Sequence, residues 1–393
     1  AREVARLAPR LLREQAVETD TASATASYAA ATGWLLAAVW LAVPHVWVGL
    51  VWAALALALG EIGRRWNDAM LRGCAHGAAL LAALRLLTIN LQIAPELYGI
   101  STRALTVGAG VALFYLASRR IALPNPVATG ESARWQRLAQ WGGLPAVYSW
   151  SASLLLMLLL WNELTNTAVG LGWALAGVAL VELGRTSSRA VPGQPDRALA
   201  TQGHALLVLS FARIFFVDLN AEQEIAHVSV RLITVSLLAA IYYYQAFSAP
   251  PETSRMRTAF LWFGTAAVAS LLRFDLDIAW GAVAWAAMVV ALDITGRRLS
   301  IATLRQQACL LTLLVGMRCA LDNFYQTGAW RFTNLRAITV TLAALLLYVP
   351  LALALSEKRG RSQDHAEVSG RLAPLRRAWR WLNENPQLLF FFV

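Results

Sequence analysis

Three pairs of arginines are the residues in this sequence whose type and spacing could do chemistry: Arg85 with Arg103, Arg213 with Arg231, and Arg318 with Arg336. The members of each pair stand eighteen residues apart. The second opens a near-identical run, Arg103-Ala-Leu-Thr-Val, Arg231-Leu-Ile-Thr-Val or Arg336-Ala-Ile-Thr-Val. A guanidinium fork suits bidentate capture of a carboxylate or phosphate. Within an apolar segment it costs about 2.5–3.5 kcal/mol on insertion scales. Two roles follow. One is a cationic site for an anionic lipid headgroup or similar anion. The other is structural, each arginine satisfying carbonyls or pairing with Glu96, Glu163, Asp218, Asp275 or Asp322 to staple helices. Threefold occurrence favours the structural role, because a unique active site seldom appears three times.

Other candidates are weaker. Glu61, Glu182 and Asp293 each precede a Gly-Arg step (Gly63-Arg64, Gly184-Arg185, Gly296-Arg297), which suits a helix-end ion pair better than a proton relay. His76 and His204 stand nine residues before a helix arginine, with Cys309 at the corresponding place in the third copy. Such histidines could hold a haem or a chlorin magnesium. No partner at bis-ligand spacing accompanies them, so a hydrogen bond to a neighbouring helix is expected and no cofactor is implied. His45, His227 and His365 read as loop residues. Arg273-Phe-Asp275-Leu-Asp277 puts two carboxylates in a short turn, the seed of a metal-assisted membrane transferase. The loops are too short for a substrate domain, and the first copy lacks the acids. No HExxH, GxSxG, SxxK or phosphate-cradling glycine loop occurs. Cys74, Cys309 and Cys319 offer neither a disulfide framework nor a zinc site.

The elements that must position these groups are transmembrane helices. Of 393 residues, 58% are hydrophobic, sixteen are Trp and only 15% are charged, with a mean hydropathy of +0.51. That excludes a disordered chain, a coiled coil and almost any soluble domain. The net charge of +11 lies in short connections, which argues for membrane orientation rather than a nucleic-acid partner. Apolar runs predict spans near 28–43, 46–63, 73–93, 103–118, 138–160, 167–183, 200–217, 230–247, 256–272, 278–295, 304–322 and 336–354. They are continuously apolar, which predicts helices rather than a barrel.

The runs repeat. Trp52, Trp173 and Trp285 each precede a glycine by eleven positions (Gly63, Gly184, Gly296), and the arginine pairs follow. This predicts an all-α polytopic bundle of about twelve spans in three tandem four-helix repeats, at 28–120, 138–248 and 256–355. Residues 1–27 form a cytoplasmic N-terminal segment. Residues 356–393 are a basic cytoplasmic stretch leading into a further apolar run, as in part of a longer protein. Within it Arg371-Leu-Ala-Pro-Leu-Arg-Arg reads as a basic interfacial helix or a plain linker. Arginines crowd the second-to-third and fourth-to-first connections, and acids crowd the others. The positive-inside rule therefore predicts a cytoplasmic N-terminus.

The segment His204-Ala-Leu-Leu-Val-Leu-Ser-Phe-Ala-Arg213-Ile-Phe-Phe-Val-Asp218-Leu, followed by Arg231-Leu-Ile-Thr-Val-Ser-Leu-Leu-Ala-Ala-Ile-Tyr-Tyr-Tyr-Gln, resembles a large bacterial family of predicted membrane proteins of unknown function. That family is built from many repeated transmembrane helices. The third copy departs from the pattern, reading Met317-Arg318-Cys319 without an aromatic pair. The resemblance implies a multi-pass inner-membrane protein and no particular activity. The expected function is a non-catalytic scaffold or accessory subunit of a membrane assembly, with the arginine sites open to anionic lipid. The alternatives are a transporter or lipid handler using the arginine pairs, and a transferase using Asp275 and Asp277. The expected partners are the bilayer, anionic lipids and other membrane subunits.

Overall fold

The computed structural model describes residues 23–93, 96–120, 143–190, 197–220, 224–225, 228–248, 254–325, 329–330 and 333–360. Among them are twelve helices: α1 (Ser23–Ala42), α2 (Val48–Arg65), α3 (Ala69–Thr88), α4 (Thr102–Arg120), α5 (Gly143–Glu163), α6 (Asn166–Ala190), α7 (Arg197–Phe216), α8 (Val230–Ser248), α9 (Ser254–Asp275), α10 (Ile278–Arg298), α11 (Ala302–Leu321) and α12 (Leu335–Gly360). Eight of these (α1, α3, α6, α7, α8, α10, α11 and α12) are long and apolar enough to cross a bilayer. The protein is an all-α, multi-pass membrane protein. His227, His365 and the Arg371 stretch lie outside the described residues.

The helix that the sequence places at 28–43 begins earlier, at Ser23. Its added turn is Ser- and Thr-rich, which masks it from an apolar count. The larger surprise is at the third-to-fourth connections. Each carries a 3-10 turn (Asn90–Gln92, Asp218–Asn220, Asn323–Tyr325) and then a two-stranded antiparallel hairpin. The strands are β1 (Glu96–Leu97) with β2 (Ile100–Ser101), β3 (Glu224–Ile225) with β4 (Val228–Ser229), and β5 (Ala329–Trp330) with β6 (Thr333–Asn334). In the first hairpin Tyr98 (φ 54°) and Gly99 (φ 79°) both take positive φ, the backbone of a type I′ turn. Two-residue strands are too short to register as alternation. The helix–helix–helix–3-10–hairpin–helix order thus occurs three times along the chain.

The glycines eleven residues after Trp52 and Trp285 have a packing reason. A Cβ on Gly63 would stand 3.0 Å from the Arg72 backbone nitrogen, and one on Gly296 would stand 2.8 Å from Arg305 Cγ. The end of one helix there presses on the first turn of the next. Asn67 (φ 54°) and Ser300 (φ 56°) make the left-handed residue of these two turns, and Asp68 N–H and Ile301 N–H donate back to Gly63 O and Gly296 O at 2.8 and 2.9 Å.

The described residues divide into two compact units, residues 1–165 with 179–206, and residues 166–178 with 207–393. In the first, α2 packs on α3 and α4, and α4 packs on α5. Its core joins Ala53, Ala82, Leu86, Val107, Phe114 and Leu155. In the second, α8 packs on α9, and α10 on α11 and α12. Its core joins Leu207, Leu238, Tyr242, Phe260, Val289 and Val315. Both cores pair small alanines with large apolar side chains, which lets helix backbones approach closely.

Candidate functional site

Arg85, Arg213 and Arg318 are 4%, 5% and 5% exposed. They lie inside the helix packing, not on a lipid- or solvent-facing surface. Arg85 donates to His45 O at 2.9 Å and Arg318 to Ile278 O at 3.3 Å, in both cases forty residues back in the chain. Arg213 donates to Asn166 O at 2.6 Å. These acceptors lie at or just before the start of the second helix of each set, and a guanidinium there satisfies a group the bilayer cannot. Each arginine also faces a tryptophan ring. Arg85 Cζ is 4.2 Å from the Trp40 centroid and 5.7 Å from that of Trp52. Arg213 is 5.7 Å from Trp173 and Arg318 5.0 Å from Trp285. A ring face stabilises a desolvated cation by about 2 kcal/mol. The tryptophans that mark the sequence periodicity are thus the aromatic partners of the buried arginines. Trp52 and Trp285 further donate Nε1–H to Leu36 O and Ala269 O, both sixteen residues back.

The second arginine of each pair opens the helix after the hairpin. Arg103, Arg231 and Arg336 donate NH1 to the carbonyls of Leu91, Leu219 and Phe324, each twelve residues back and each at 3.2 Å. Arg103 Nε also bonds Glu163 Oε1 at 2.7 Å, and NH2 reaches Asn162 O at 3.0 Å. Arg231 NH2 bonds Asp275 Oδ1 at 3.2 Å. The acids belong to the end of the following helix, α5 or α9. The staple expected between the third and fourth helices of one set therefore also ties the fourth to the first helix of the next. Among the described residues Arg336 has no acidic partner. Glu96 is exposed in β1, and Asp322 caps α11 through its N–H to Arg318 O. Neither joins an arginine in an ion pair among the described residues.

The helix-end acids behave as ion pairs: Glu61 with Arg64 and Arg65, Glu182 with Arg185, and Asp293 with Arg297. Asp293 sits one position earlier relative to its glycine than Glu61 and Glu182 do, and it is buried. His76 Nδ1 lies 2.7 Å from the Tyr148 hydroxyl, a hydrogen bond from α3 to α5. Asp275 is held by Arg231. The Asp277 carbonyl receives the N–H groups of Trp280 and Gly281. No group of three or more His, Cys, Asp or Glu is placed to share a metal ion among the described residues.

Sequence reasoning missed several polar partners. Asn90 donates to Val46 O (2.7 Å) and the Thr106 hydroxyl (3.2 Å), and Asn323 to Ala279 O (2.8 Å) and the Thr339 hydroxyl (3.1 Å), at the same separations of 44 and 16 residues. Tyr115 shares a hydrogen bond with Ser153 (2.7 Å), as Tyr243 does with Thr265 (3.0 Å). Ser153 and Thr265 in turn donate to Gln202 (2.7 Å) and Gln307 (2.8 Å). The signal was present. Asn90, Asp218 and Asn323 each stand five residues after an arginine, and Tyr115, Tyr243 and Tyr348 twelve residues after one. Comparison with protein families, with characterised proteins and with solved structures gives no match.

Proposed function

We propose that this protein is a non-catalytic scaffold or accessory subunit of a bacterial inner-membrane assembly, built from three tandem four-helix repeats whose twelve helices all cross the bilayer. The four helices outside the strongly apolar group are α2, α4, α5 and α9, and the shortest of them, α2, has 18 residues. At 1.5 Å per residue that length covers about 27 Å, close to the hydrocarbon thickness. Arg64, Arg65, Arg119 and Arg120 close α2 and α4. This agrees with a cytoplasmic face at those ends and the hairpins at the outer face.

The observation that carries the scaffold reading is the commitment of the repeated arginines. Arg85, Arg103, Arg213, Arg231 and Arg318 are bound to carbonyls, ring faces or carboxylates of this same chain. A transport path or catalytic site would leave such groups turned toward a ligand. Part of the constellation recurs along the chain and supports repetition: the Arg85–His45 and Asn90–Val46 contacts return 233 positions later as Arg318–Ile278 and Asn323–Ala279. The test is single replacement of Arg85, Arg213 and Arg318 by Ala in the detergent-solubilised protein. The scaffold reading expects each variant to lose thermal stability, with no single position abolishing anion or lipid retention. Loss of lipid retention at one position with stability intact would overturn it. Cysteine-labelling topology in vesicles tests the twelve spans and the cytoplasmic N-terminus separately.

A further inference from the structure

We infer that the face of α12 carrying Arg336 and Tyr348 is a docking surface for one more apolar transmembrane helix, antiparallel to α12. That helix carries a Ser or Thr and, ten residues later at its hairpin end, an Asp or Glu. The inference rests on contacts made twice elsewhere in the chain. On α4, Arg103 and Tyr115 grip Glu163 and Ser153 of α5 at 2.7 Å each. On α8, Arg231 and Tyr243 grip Asp275 and Thr265 of α9 at 3.2 and 3.0 Å. Arginine and tyrosine are twelve residues apart in both, and hydroxyl and carboxylate ten apart.

α12 repeats the gripping half of this arrangement. Arg336 and Tyr348 are again twelve residues apart. Arg103, Tyr115, Arg231 and Tyr243 are partly buried beneath the helix they hold, whereas Arg336 is exposed and Tyr348 is 63% exposed. Among the described residues Arg336 bonds only Phe324 O, and the Tyr348 hydroxyl has no partner. An apolar cavity of about 370 Å³ lies between α11 and α12, lined by Gly316, Ala320, Phe324, Ala343, Ala344 and Leu347. The corresponding place at α7 and α8 is filled by Phe211 and Tyr242, and Phe263 of α9 stacks on Phe211 at 4.1 Å. Small residues at 316 and 343 leave that volume for a large apolar side chain of the incoming helix.

Charge complementarity fixes the occupant's chemistry. A guanidinium at a bilayer boundary calls for a carboxylate, and two precedents in the chain supply one. A second copy of this chain is the poorer fit. Its α1 offers Thr32 at the hydroxyl position but Ala42 ten residues on, where α5 and α9 carry Glu163 and Asp275.

The test uses the full 393-residue chain in vesicles of neutral lipid, with a synthetic peptide of the α5 sequence spanning Ser153 and Glu163 and bearing a photo-crosslinker. The expected result is crosslinking to α12, weakened about tenfold when the peptide carries Gln in place of Glu163 or the protein carries Arg336→Gln. Loss of one partner of a charge-assisted hydrogen bond has this size. Tyr348→Phe should weaken it less. Equal crosslinking by the Glu and Gln peptides, crosslinks confined to other helices, or displacement of the peptide by anionic lipid with Arg336 as the lipid site would each overturn the inference. The inference also takes α12 to lie in the bilayer, as the scaffold reading does. Protease protection of α12 in the same vesicles reports that point separately.

Discussion

Arg85 and Arg213 occupy the same place in successive sets, yet the residue five positions on differs: Asn90 in one, Asp218 in the other. Asn90 donates to a backbone carbonyl and to Thr106, and Arg85 is left with His45 O and the tryptophan rings. Asp218 has nothing to donate. It is fully buried, its oxygens accept no hydrogen bond, and its nearest cation is Arg213 Nε at 3.9 Å. One amide-to-carboxylate change thus turns a neutral side chain that donates two hydrogen bonds into a charge that depends on its arginine. The third set returns to the neutral form with Asn323. The lesson is that the buried arginine does not require an acid. Its carbonyl and aromatic contacts suffice in two sets out of three.

The comparison breaks most sharply at the arginine itself. Arg213→Ala strands the Asp218 carboxylate in the interior and should destabilise by about 3–5 kcal/mol, read as loss of thermal stability in detergent. Arg85→Ala removes a charge without stranding another, so about 1–3 kcal/mol is expected. Equal losses would mean that Asp218 does not depend on Arg213. Next, Asp218→Asn should rescue Arg213→Ala in a double-mutant cycle, recovering at least half of the loss, because the amide can adopt the Asn90 bonding. An additive pair would refute the equivalence of the two positions.

A smaller effect is expected where α4 meets α5. Arg103→Gln and Glu163→Gln should each cost about 1–2 kcal/mol, the range for a partly buried charge-assisted bond. The double variant should lose less than the sum, and guanidinium-independent melts would settle the coupling.

The smallest effect lies at the start of α3. Asp68 accepts the N–H groups of Met70 and Leu71, whereas Ile301 at the start of α11 provides no side-chain cap. Asp68→Ala should cost about 1 kcal/mol. The Leu71 N–H, then the Tyr28 hydroxyl and the Met70 N–H, hold the Asp68 carboxyl below its ordinary value. Its contribution is present above the unfolded value of about 3.9 and is lost as pH falls through the lower folded value. Wild type and Asp68→Ala should therefore melt alike in strong acid and apart at neutral pH.

Much of this was legible in advance. Helix positions followed from continuous apolar runs, because a bilayer leaves the backbone no other partner, and the arginine spacing exposed the threefold pattern. The hairpins were not legible, since two-residue strands carry no alternation. The partners of Arg103 and Arg231 were among the acids the sequence offers, Glu163 and Asp275, but nothing in one dimension says that the fourth helix of one set reaches forward to the first of the next.

By itself the sequence determined that the chain is membrane-embedded and helical, and where arginine, tryptophan and glycine recur, because composition and periodicity are local and additive. Which carbonyl or ring each guanidinium meets, that Asn90 and Asp218 take the same place with different bonding, and that among the described residues no carboxylate or hydroxyl grips Arg336 and Tyr348 of α12 were decided only by the tertiary structure. Those facts depend on distances between residues 12 to 60 positions apart, and a buried charge is stable or costly according to what stands within about 4 Å of it.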